Sequence, residues 1–387
     1  MRTVFNQLMG MLTRAAIRAT FNAHQAQLRH KPPTRTVRSV LQVSVMSTKP
    51  YMVSRVLRAC GLRSDYYALN TDAGHLNLGW DYSLPTSLSP LQHLRRAWQD
   101  LWAVFSRYDV IHYHFNSTLL WDGAELPFLR QLGKVIVFHF RGCDLRQRRI
   151  NNLRNPDLNC CQECDYPVGF CDTPDQRRRL KLAQEYGDLF FVTTPDLLDF
   201  FPNAEYLPFI APYGVELDAI APSPKTAGVF RVVTSSNHHG LDGTAYIRDA
   251  VLRLQNEGRL LELVEVHGMP YHQALSVYKS ADLFAGKLRM GYYNNANIEC
   301  MMLGVPCMSY IRTPYLKQIP DCPIINTRPE TVYDRLKEYL KRPEELKRIG
   351  ALGPEFVRKY HDPIRLANHL IFRYKEAMQN KNNKFLS

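Results

Sequence analysis

Residues 291–311 read GYYNNANIECMMLGVPCMSYI, and this stretch decides the fold more than any other. Asn294 or Asn295 can cap a helix that begins here, and Gly304 can end that helix in a left-handed turn. The apolar run that follows, 305–311, is typical of a parallel strand covered on both faces. A loop, a short helix, a sharp stop and a buried strand in this order predict one unit of a parallel α/β sheet.

Glu299 is the single carboxylate of this stretch and falls in the first turns of the predicted helix. Two roles are open for it. It either accepts hydrogen bonds from a pair of vicinal hydroxyls, as on a ribose, or it complements the helix dipole on a solvated surface. The backbone N–H groups at the same helix start would also suit a diphosphate.

The same alternation of apolar and helical segments extends over most of the 387 residues and predicts parallel sheets covered by helices. Helical runs include 244–257 and 271–280, and Pro343, Pro354 and Pro363 are expected near helix starts. The strand-like runs fall at 37–45, 65–69, 109–115, 134–140, 188–193, 205–209, 229–235, 261–267, 281–288, 305–311 and 323–325.

A change to Pro, Ala, Ser and Gly between residues 211 and 228 divides these runs into two groups. The sequence therefore predicts an α/β fold of two Rossmann-like, doubly wound domains. Because such sheets bind ligands at the carboxyl ends of their strands, the site is expected in an interdomain cleft. The expected segments are a basic amphipathic extension at 1–36, an N-terminal domain at 37–213 with a Cys-rich insertion at 143–171, a linker at 214–228, a C-terminal domain at 229–358, and a last helix at 359–387 that can cross back to the N-terminal domain.

The formal net charge of +13 favours anionic partners, among them nucleic acid, anionic lipid head groups and nucleotide diphosphates. Arginine-rich runs at 146–149 and 176–179 are typical of solvated faces, and no helix-turn-helix, RNA-recognition or finger pattern accompanies them, so nucleic acid is disfavoured. No window approaches the roughly 18 apolar residues that a membrane-spanning helix needs. We expect a cytoplasmic protein, with membrane-surface association left open.

The first residues form a basic amphipathic pattern, with seven Lys and Arg residues up to Arg38 and no Asp or Glu before Asp65. Three interpretations are open. Residues 1–30 are a helix for an anionic membrane surface, an organelle transit peptide, or a basic extension ahead of the Pro32-Pro33 pair.

Several motifs in the second half resemble those of one enzyme family. They are VVTSSNHHGLDGT at 232–244, VEVHGMPYHQALSVYKSADLF at 264–284, IECMMLGVPC at 298–307, RPEELKRIG at 342–350 and FVRKYHDP at 356–363. With YDVIHYHF at 108–115 and VIVFHFRGCDLR at 135–146, their order resembles that of the group 1 glycosyltransferases, retaining enzymes of GT-B fold.

The resemblance implies that Glu299 holds the ribose of a nucleotide diphosphate sugar. A first glutamate of the family's acidic pair falls on Gly291, as in some relatives. The family's Arg and Lys, which neutralise the diphosphate, are replaced by His239 and Asp242 before Gly243. An Asp there would repel the leaving group, whereas a positive charge is needed.

Three compensations for the lost cations are open: a protonated His238 or His239, a metal ion bridging Asp242, or Lys287 or Arg289 reaching in from the adjacent strand end. For the last pair the competing interpretation is that both are solvated loop cations. The predicted donor-binding residues are Glu299, His238, His239, Gly243, Lys287, Arg289, Gly291 and Asn294.

On the acceptor side the resemblance implies a catalytic His139, which would hydrogen-bond a donor hydroxyl or help shuttle a proton. A buried, satisfied histidine is the competing interpretation. Arg141 and Asp144 follow in a tight loop. His112 and His114 face one side of their strand because residues two apart share a face, and the acceptor-side prediction is His114, Arg141 and Asp144.

The Cys-rich insertion carries a C-x2-C-x6-C pattern with further thiols nearby. A structural zinc site, an iron–sulfur site, paired disulfides and free thiols are all open. The predicted metal ligands are Cys143, Cys161, Cys164 and Cys171.

The function expected from this sequence is transfer of a sugar, with retention, from a nucleotide diphosphate sugar to an acceptor that is a glycan, a lipid or a small molecule. No organic cofactor is expected. The alternative is a nucleotide-sugar-binding pseudoenzyme without turnover, motivated by His239, Asp242 and Gly291.

Overall fold

The computed structural model describes residues 36–45, 48–69, 79–120, 122–167 and 169–386, with side chains to residue 383. The predicted basic helix of residues 1–30 lies outside the described residues. Within these ranges the chain forms two parallel sheets, each covered by helices. The prediction of a two-domain α/β fold is therefore confirmed.

The N-terminal domain is built on a seven-stranded parallel sheet with the order β3-β2-β1-β4-β5-β6-β7. Its strands are β1 (Ser39–Ser44), β2 (Arg63–Ala68), β3 (Tyr82–Ser83), β4 (Val110–His114), β5 (Val135–Phe140), β6 (Leu189–Val192) and β7 (Glu205–Tyr206). Its helices are α1 (Thr48–Ala59), α2 (Pro90–Ala103), α3 (Glu125–Gln131), α4 (Arg148–Arg154) and α5 (Pro174–Tyr186).

The C-terminal domain is built on a five-stranded parallel sheet with the order β12-β11-β10-β8-β9. Its strands are β8 (Phe230–Ser235), β9 (Leu261–Val266), β10 (Leu283–Ala285), β11 (Cys307–Ser309) and β12 (Ile325–Asn326). The helices of this half are α6 (His239–Asp242), α7 (Thr244–Asn256), α8 (Tyr271–Lys279), α9 (Asn295–Met302), α10 (Thr313–Leu316), α11 (Val332–Tyr339), α12 (Pro343–His361) and α13 (Pro363–Leu386).

Helix α9 begins and ends as its sequence predicts. Asn294 is the N-cap, and its side-chain oxygen accepts a hydrogen bond from the backbone N–H of Asn297 at 3.1 Å. Gly304 follows the helix in the left-handed region, with φ of +74°. The loop that opens α9 therefore lies at the carboxyl end of the second sheet, between β10 and β11.

Helix α12 fixes α9 from behind through two glycines. A Cβ at Gly350 would lie 2.2 Å from the Gly304 carbonyl oxygen, and one at Gly353 would lie 2.5 Å from the Met301 carbonyl oxygen. The two backbones approach so closely that only glycine fits at either position. The prediction that Pro354 lies near a helix start was wrong: it lies inside α12, because packing against α9 maintains the helix although Pro354 has no N–H.

The last helix, α13, packs against the N-terminal sheet. Its residues Leu366, Ala367, Leu370 and Tyr374 share one buried cluster with strand residues that include Val40, Val110, Val135 and Val137. The chain thus begins and ends in the same domain, within the part that the structure describes. No helix among the described residues is both long and apolar enough to cross a membrane.

We expect Gly353→Ala to lower the free energy of unfolding by about 1–3 kcal/mol, because the added methyl group forces α9 and α12 apart. Helix propensity alone would raise the free energy of unfolding by about 1 kcal/mol. A net decrease would therefore come from the close contact between α9 and α12. Urea denaturation measures the change. The control is Ala351→Gly, at an exposed position of the same helix, which reports propensity alone. A Gly353→Ala protein more stable than the wild type would contradict the close contact.

Candidate functional site

Two neighbouring cavities lie between the carboxyl ends of the two sheets. The first, of about 320 Å³, is called the Glu299 cavity, and its walls include Ser235, Ser236, His238, Tyr271, Tyr278 and Glu299. The second, of about 230 Å³, is called the Arg141 cavity, and its walls include Phe115, Arg141, Arg146, Thr194, Asp196 and Tyr292. Lys49, Lys287, Asn294 and Asn295 line both. The cavities are therefore two parts of one interdomain cleft.

Several of these side chains lie just after the end of a strand. Phe115 follows β4, Arg141 follows β5, Ser236 follows β8, and Lys287 comes two residues after β10. Since the carboxyl ends of parallel strands meet at one edge of a sheet, residues far apart in the sequence come together here. The predicted interdomain location of the cleft agrees with this arrangement.

Glu299 is buried in the wall of its cavity, with 6% of its surface exposed. The interpretation of Glu299 as a solvated surface carboxylate was therefore wrong. Tyr271 donates a hydrogen bond to its Oε1 atom at 3.2 Å, and Lys49 donates to the same atom at 3.5 Å. Burial raises the pKa of the Glu299 carboxyl, and the charge of Lys49 acts in the opposite direction. The carboxylate has one cation and one hydroxyl as partners, so it can exchange them for ligand hydroxyls.

Lys49 is the cation that reaches Glu299 from the other domain. It lies in the first turn of α1, is 5% exposed, and also donates to the Ile210 carbonyl oxygen at 3.4 Å. Burial lowers the pKa of its ammonium group. Lys49 was not among the residues predicted from the sequence. A lysine placed just after the first strand of a doubly wound domain was the signal that could have identified it.

Asp242 does not carry the unpaired negative charge that the sequence suggested. Lys287 donates to its Oδ1 atom at 2.7 Å, and the Ser236 hydroxyl donates to Oδ2 at 2.7 Å. The Lys287 side chain is 22% exposed and lines both cavities. Lys287 thus neutralises Asp242 and presents its ammonium group at the junction of the cavities.

Arg289 has a different environment from the one predicted. It is 4% exposed, so it is not a solvated loop cation, and it lines neither cavity among the wall residues described. Its guanidinium pairs with Glu163 at 2.7 Å and donates to Gln162 at 3.0 Å. Both partners belong to the Cys-rich insertion. The prediction that Arg289 faces the diphosphate is therefore corrected, because its guanidinium donors bind side chains of the N-terminal domain.

The insertion crosses the cleft as a strap, residues 157–166. Asp165 accepts a hydrogen bond from the Gly240 N–H at 3.2 Å, and the Tyr166 ring stacks on His238 with centroids 3.9 Å apart. A Cβ at Gly240 would lie 2.3 Å from the Glu163 carbonyl oxygen, so the strap backbone contacts α6 directly. The strap therefore closes the cleft on the side of α6.

The two histidines of α6 lie in different surroundings. His238 lines the Glu299 cavity, as predicted for a donor-side residue. The side chain of His239 contacts Arg248 at 3.3 Å and lies 3.9 Å from Glu265, and it is not among the described residues that line either cavity. The structure brings His238 to the cleft and leaves His239 outside it.

Two predicted donor-side glycines have conformations that other residues rarely adopt. Gly243 has φ of +80°, and a Cβ there would lie 3.1 Å from Arg289. Gly291 has φ of +79°, and a Cβ would lie 2.8 Å from the Cδ atom of Arg312. The position of the family's first glutamate thus has a backbone geometry that favours glycine, and Arg312 fills the adjacent space.

Three histidines form a compact group beneath the Arg141 loop. The Nε2 atom of His112 lies 3.3 Å from Nδ1 of His139, and Nδ1 of His112 lies 2.6 Å from the Tyr374 hydroxyl of α13. His114 donates from Nε2 to Gln42 at 2.7 Å and accepts at Nδ1 from Arg141. Burial lowers the pKa of all three imidazoles well below the usual range, because desolvation disfavours the charged form.

His139, predicted as catalytic, is 3% exposed and does not belong to either described cavity wall. Its ring lies 5.2 Å from that of His114, which contacts Arg141. Its Nε2 atom has no hydrogen-bond partner among the described residues. The structure thus connects His139 to the cleft only through its neighbours. Asp144 accepts from the N–H groups of Arg141 at 3.1 Å and Gly142 at 2.6 Å, which fixes the loop.

One group of side chains in the described ranges has its metal-ligand atoms close together. The His112, His114 and His139 ligand atoms all lie within 4.8 Å of one another, and the described cysteines form no such group. Arg141 donates to His114 Nδ1, so the trio is a hydrogen-bonded network that a cation would have to disrupt. The nine cysteines are free thiols, with Cys143, Cys160, Cys161 and Cys164 packed in one cluster around Leu241. A zinc site at Cys143, Cys161, Cys164 and Cys171 stays a prediction.

Solved structures share this two-domain arrangement. Sucrose-phosphate synthase from Thermosynechococcus elongatus aligns with a TM-score of 0.57 and 13% identity over 88% of this chain and 98% of its own. HepE of Anabaena, in complex with UDP-glucose, aligns with a TM-score of 0.58 and 10% identity over 87% and 98%. The N-terminal domain of Candida albicans trehalose-6-phosphate phosphatase aligns with a TM-score of 0.56 and 11% identity over 89% and 98%.

At these identities the likeness is one of fold, and it confirms the predicted GT-B arrangement. No protein-family model matches the chain. No curated protein matches its sequence either.

We expect Lys49→Met to lower the free energy of unfolding by about 3–5 kcal/mol, because it leaves a buried carboxylate without its cation. Protonation of Glu299 relieves this penalty. Since a carboxyl whose pKa is raised in the folded state loses stability as pH rises through that pKa, the loss should be larger at pH 8 than at pH 5.5. Urea denaturation at both pH values measures it. The double variant Lys49→Met, Glu299→Gln should recover part of the loss, and equal losses at both pH values would contradict the ion pair.

Proposed function

We propose that the protein is a glycosyltransferase that moves a sugar from a nucleotide diphosphate sugar to an acceptor, with net retention as its motifs imply. One observation carries the proposal. A carboxylate in the second turn of α9, Glu299, is buried in a cleft wall that two lysines and the capped N-terminus of the same helix also line. This combination suits a ribose next to a diphosphate.

The Glu299 cavity is the proposed donor site. Glu299 would accept hydrogen bonds from the vicinal ribose hydroxyls in place of its present partners, Tyr271 and Lys49. The diphosphate would lie at the start of α9, where Asn294 and Asn295 line both cavities. UDP-glucose is bound by HepE, which shares the fold, and this supports a nucleotide sugar as the donor here.

Lys49 and Lys287 are the proposed substitutes for the family's missing Arg and Lys. Both line the cleft, and each is paired with a carboxylate in the structure, so each can turn toward a more highly charged leaving group. Charge that develops on the diphosphate as the glycosidic bond breaks is stabilised by such fixed cations. No protein nucleophile is proposed. The proposed role of His139 changes from direct catalysis to positioning of the Arg141 loop.

Two further proposals concern the acceptor side and residues 1–30, which lie outside the described ranges. Arg141, with Asp144 fixing its loop, belongs to the proposed acceptor side, whereas residues 1–30 are proposed to contact an anionic membrane surface. The pseudoenzyme remains the second candidate function, because the strap occupies Arg289 and His239 lies outside the cleft. A nucleotide sugar that binds without hydrolysis or transfer would favour that second candidate.

We expect Glu299→Gln to weaken binding of the preferred donor about tenfold or more, because a neutral amide makes weaker hydrogen bonds to hydroxyls than a carboxylate does. Calorimetric titration with UDP, GDP and ADP sugars measures it. The matched control is Glu265→Gln, a carboxylate of the same domain that pairs with Arg248 away from the cleft. Unchanged affinity in Glu299→Gln, or the absence of binding by every donor to the wild type, would contradict the donor site.

We expect Lys287→Met to lower kcat about 100-fold while donor affinity changes much less, because the lost charge acts mainly on the leaving group. Release of the nucleoside diphosphate measures kcat. Because the substitution also leaves Asp242 unpaired, Lys287→Met, Asp242→Asn is the second variant to compare. Full kcat in that double variant would show that Lys287 serves only to neutralise Asp242.

A further inference from the structure

The Arg141 cavity is strongly cationic, and most of its charge is already compensated within the protein. Four cations line it, Lys49, Arg141, Arg146 and Lys287, against one carboxylate, Asp196. Arg146 pairs with Asp196 at 2.6 Å, Lys49 pairs with Glu299, and Lys287 pairs with Asp242. Arg141 forms no ion pair among the described residues. Among the described residues it is therefore the cation of this wall whose guanidinium forms no direct ion pair, although burial lowers its pKa and the nearby Asp144 carboxylate acts to raise it.

The guanidinium of Arg141 is held in one orientation by a neutral partner. Its Nε and Nη2 atoms donate to His114 Nδ1 at 3.2 and 2.9 Å. His114 donates from Nε2 to Gln42 at 2.7 Å, so its Nδ1 atom keeps a lone pair for Arg141. The guanidinium carbon also lies 5.8 Å from the centroid of the Phe115 ring. These contacts fix the direction of the side chain without neutralising it.

The two carboxylates near Arg141 accept hydrogen bonds from groups other than its guanidinium. Asp144 accepts from the backbone N–H groups of Arg141 and Gly142, and Asp196 pairs with Arg146. The Nη1 atom and the second N–H of Nη2 are the guanidinium donors without a partner among the described residues. The guanidinium of Arg141 is planar, is held in one orientation in the cavity wall, and forms no ion pair with a described residue. Its remaining N–H donors match the two oxygens of a phosphate or carboxylate.

We propose that Arg141 binds an oxyanion carried by the acceptor, so that the acceptor is a phosphorylated or carboxylated molecule. The inference rests on the proposed glycosyl transfer. It concerns the acceptor because Arg141 lies after β5 of the N-terminal domain and lines the Arg141 cavity, whereas Glu299 lines the other. Lys287, Asn294 and Asn295, which line both cavities, mark the junction where the two substrates meet.

The first test is binding of inorganic phosphate to the full chain, saturated with whichever of UDP, GDP or ADP binds, so that the diphosphate site is occupied. We expect Arg141→Gln to weaken phosphate binding about 10- to 100-fold, because it removes a charge-assisted bidentate contact. Nucleotide affinity should be unchanged. The control, Arg149→Gln, removes one exposed charge from the start of α4 and should have no effect. Equal phosphate affinity in Arg141→Gln and the wild type would overturn the proposal.

Two more outcomes separate this inference from others. In one outcome, phosphate competes with the nucleotide, and Arg141→Gln weakens the binding of both. That result would assign Arg141 to the diphosphate leaving group and so overturn its acceptor role. If none of the three nucleotides binds, the proposed function fails, and phosphate binding alone still tests Arg141. Arg141→Lys, which keeps the charge but loses the fork, should bind phosphate with intermediate affinity and covers the case in which Arg141→Gln does not fold.

The second test compares acceptors in a transfer assay with the wild type: glucose, glucose 6-phosphate and glucuronate. We expect an anionic sugar to have a kcat/KM at least tenfold above that of glucose, and Arg141→Gln to remove the difference mainly through KM. Preference for glucose 6-phosphate would indicate a phosphate ester, and preference for glucuronate a carboxylate. Glucose used as well as either anion would overturn the proposal.

Discussion

The cleft depends on a buried ion pair that joins the two domains. Lys49 of the first and Glu299 of the second approach to 3.5 Å, and both side chains are less than one-tenth exposed. Removing two charges from water is unfavourable unless each finds a counter-charge, so loss of either residue leaves the other charge buried without its ionic partner. A ligand that brings hydroxyls to the carboxylate and phosphate to the lysine satisfies both. The cleft is therefore held together by the groups that a nucleotide would engage.

The same logic extends to the other cations of the cleft. Lys287 is held by Asp242, Arg146 by Asp196, and Arg289 by Glu163 of the strap. Each pair joins residues far apart in the sequence and lies at or beside the strand ends. Arg141 differs because its partner is a neutral imidazole. The cations of the site are thus of two kinds: those that pair with a carboxylate of the protein, and Arg141, which is oriented by an imidazole instead.

The sequence predicted local structure well, but it did not predict which side chains contact one another across the fold. The cap at Asn294 and the stop at Gly304 depend on neighbouring residues, and both were predicted. The two-residue strand Tyr82–Ser83 was missed because so short a run carries no periodicity. Pro354 was misplaced because packing against α9 overrides a local helix-breaking signal. Arg289 was predicted to reach in from the end of its strand. Its partner Glu163 lies 126 residues away in the sequence, and no local pattern encodes such a pair.

The position of α13 has a consequence for how the chain reaches its native state. Val40, Val110, Val135 and Val137 of the first sheet are covered by α13, which is synthesised after all of these strands. During synthesis this face of the sheet therefore stays without its α13 cover until Leu366 has been added, more than 200 residues after Val137. Chaperone contact during translation would be concentrated on that face, and a nascent chain that stalls before its last helix would be prone to aggregate.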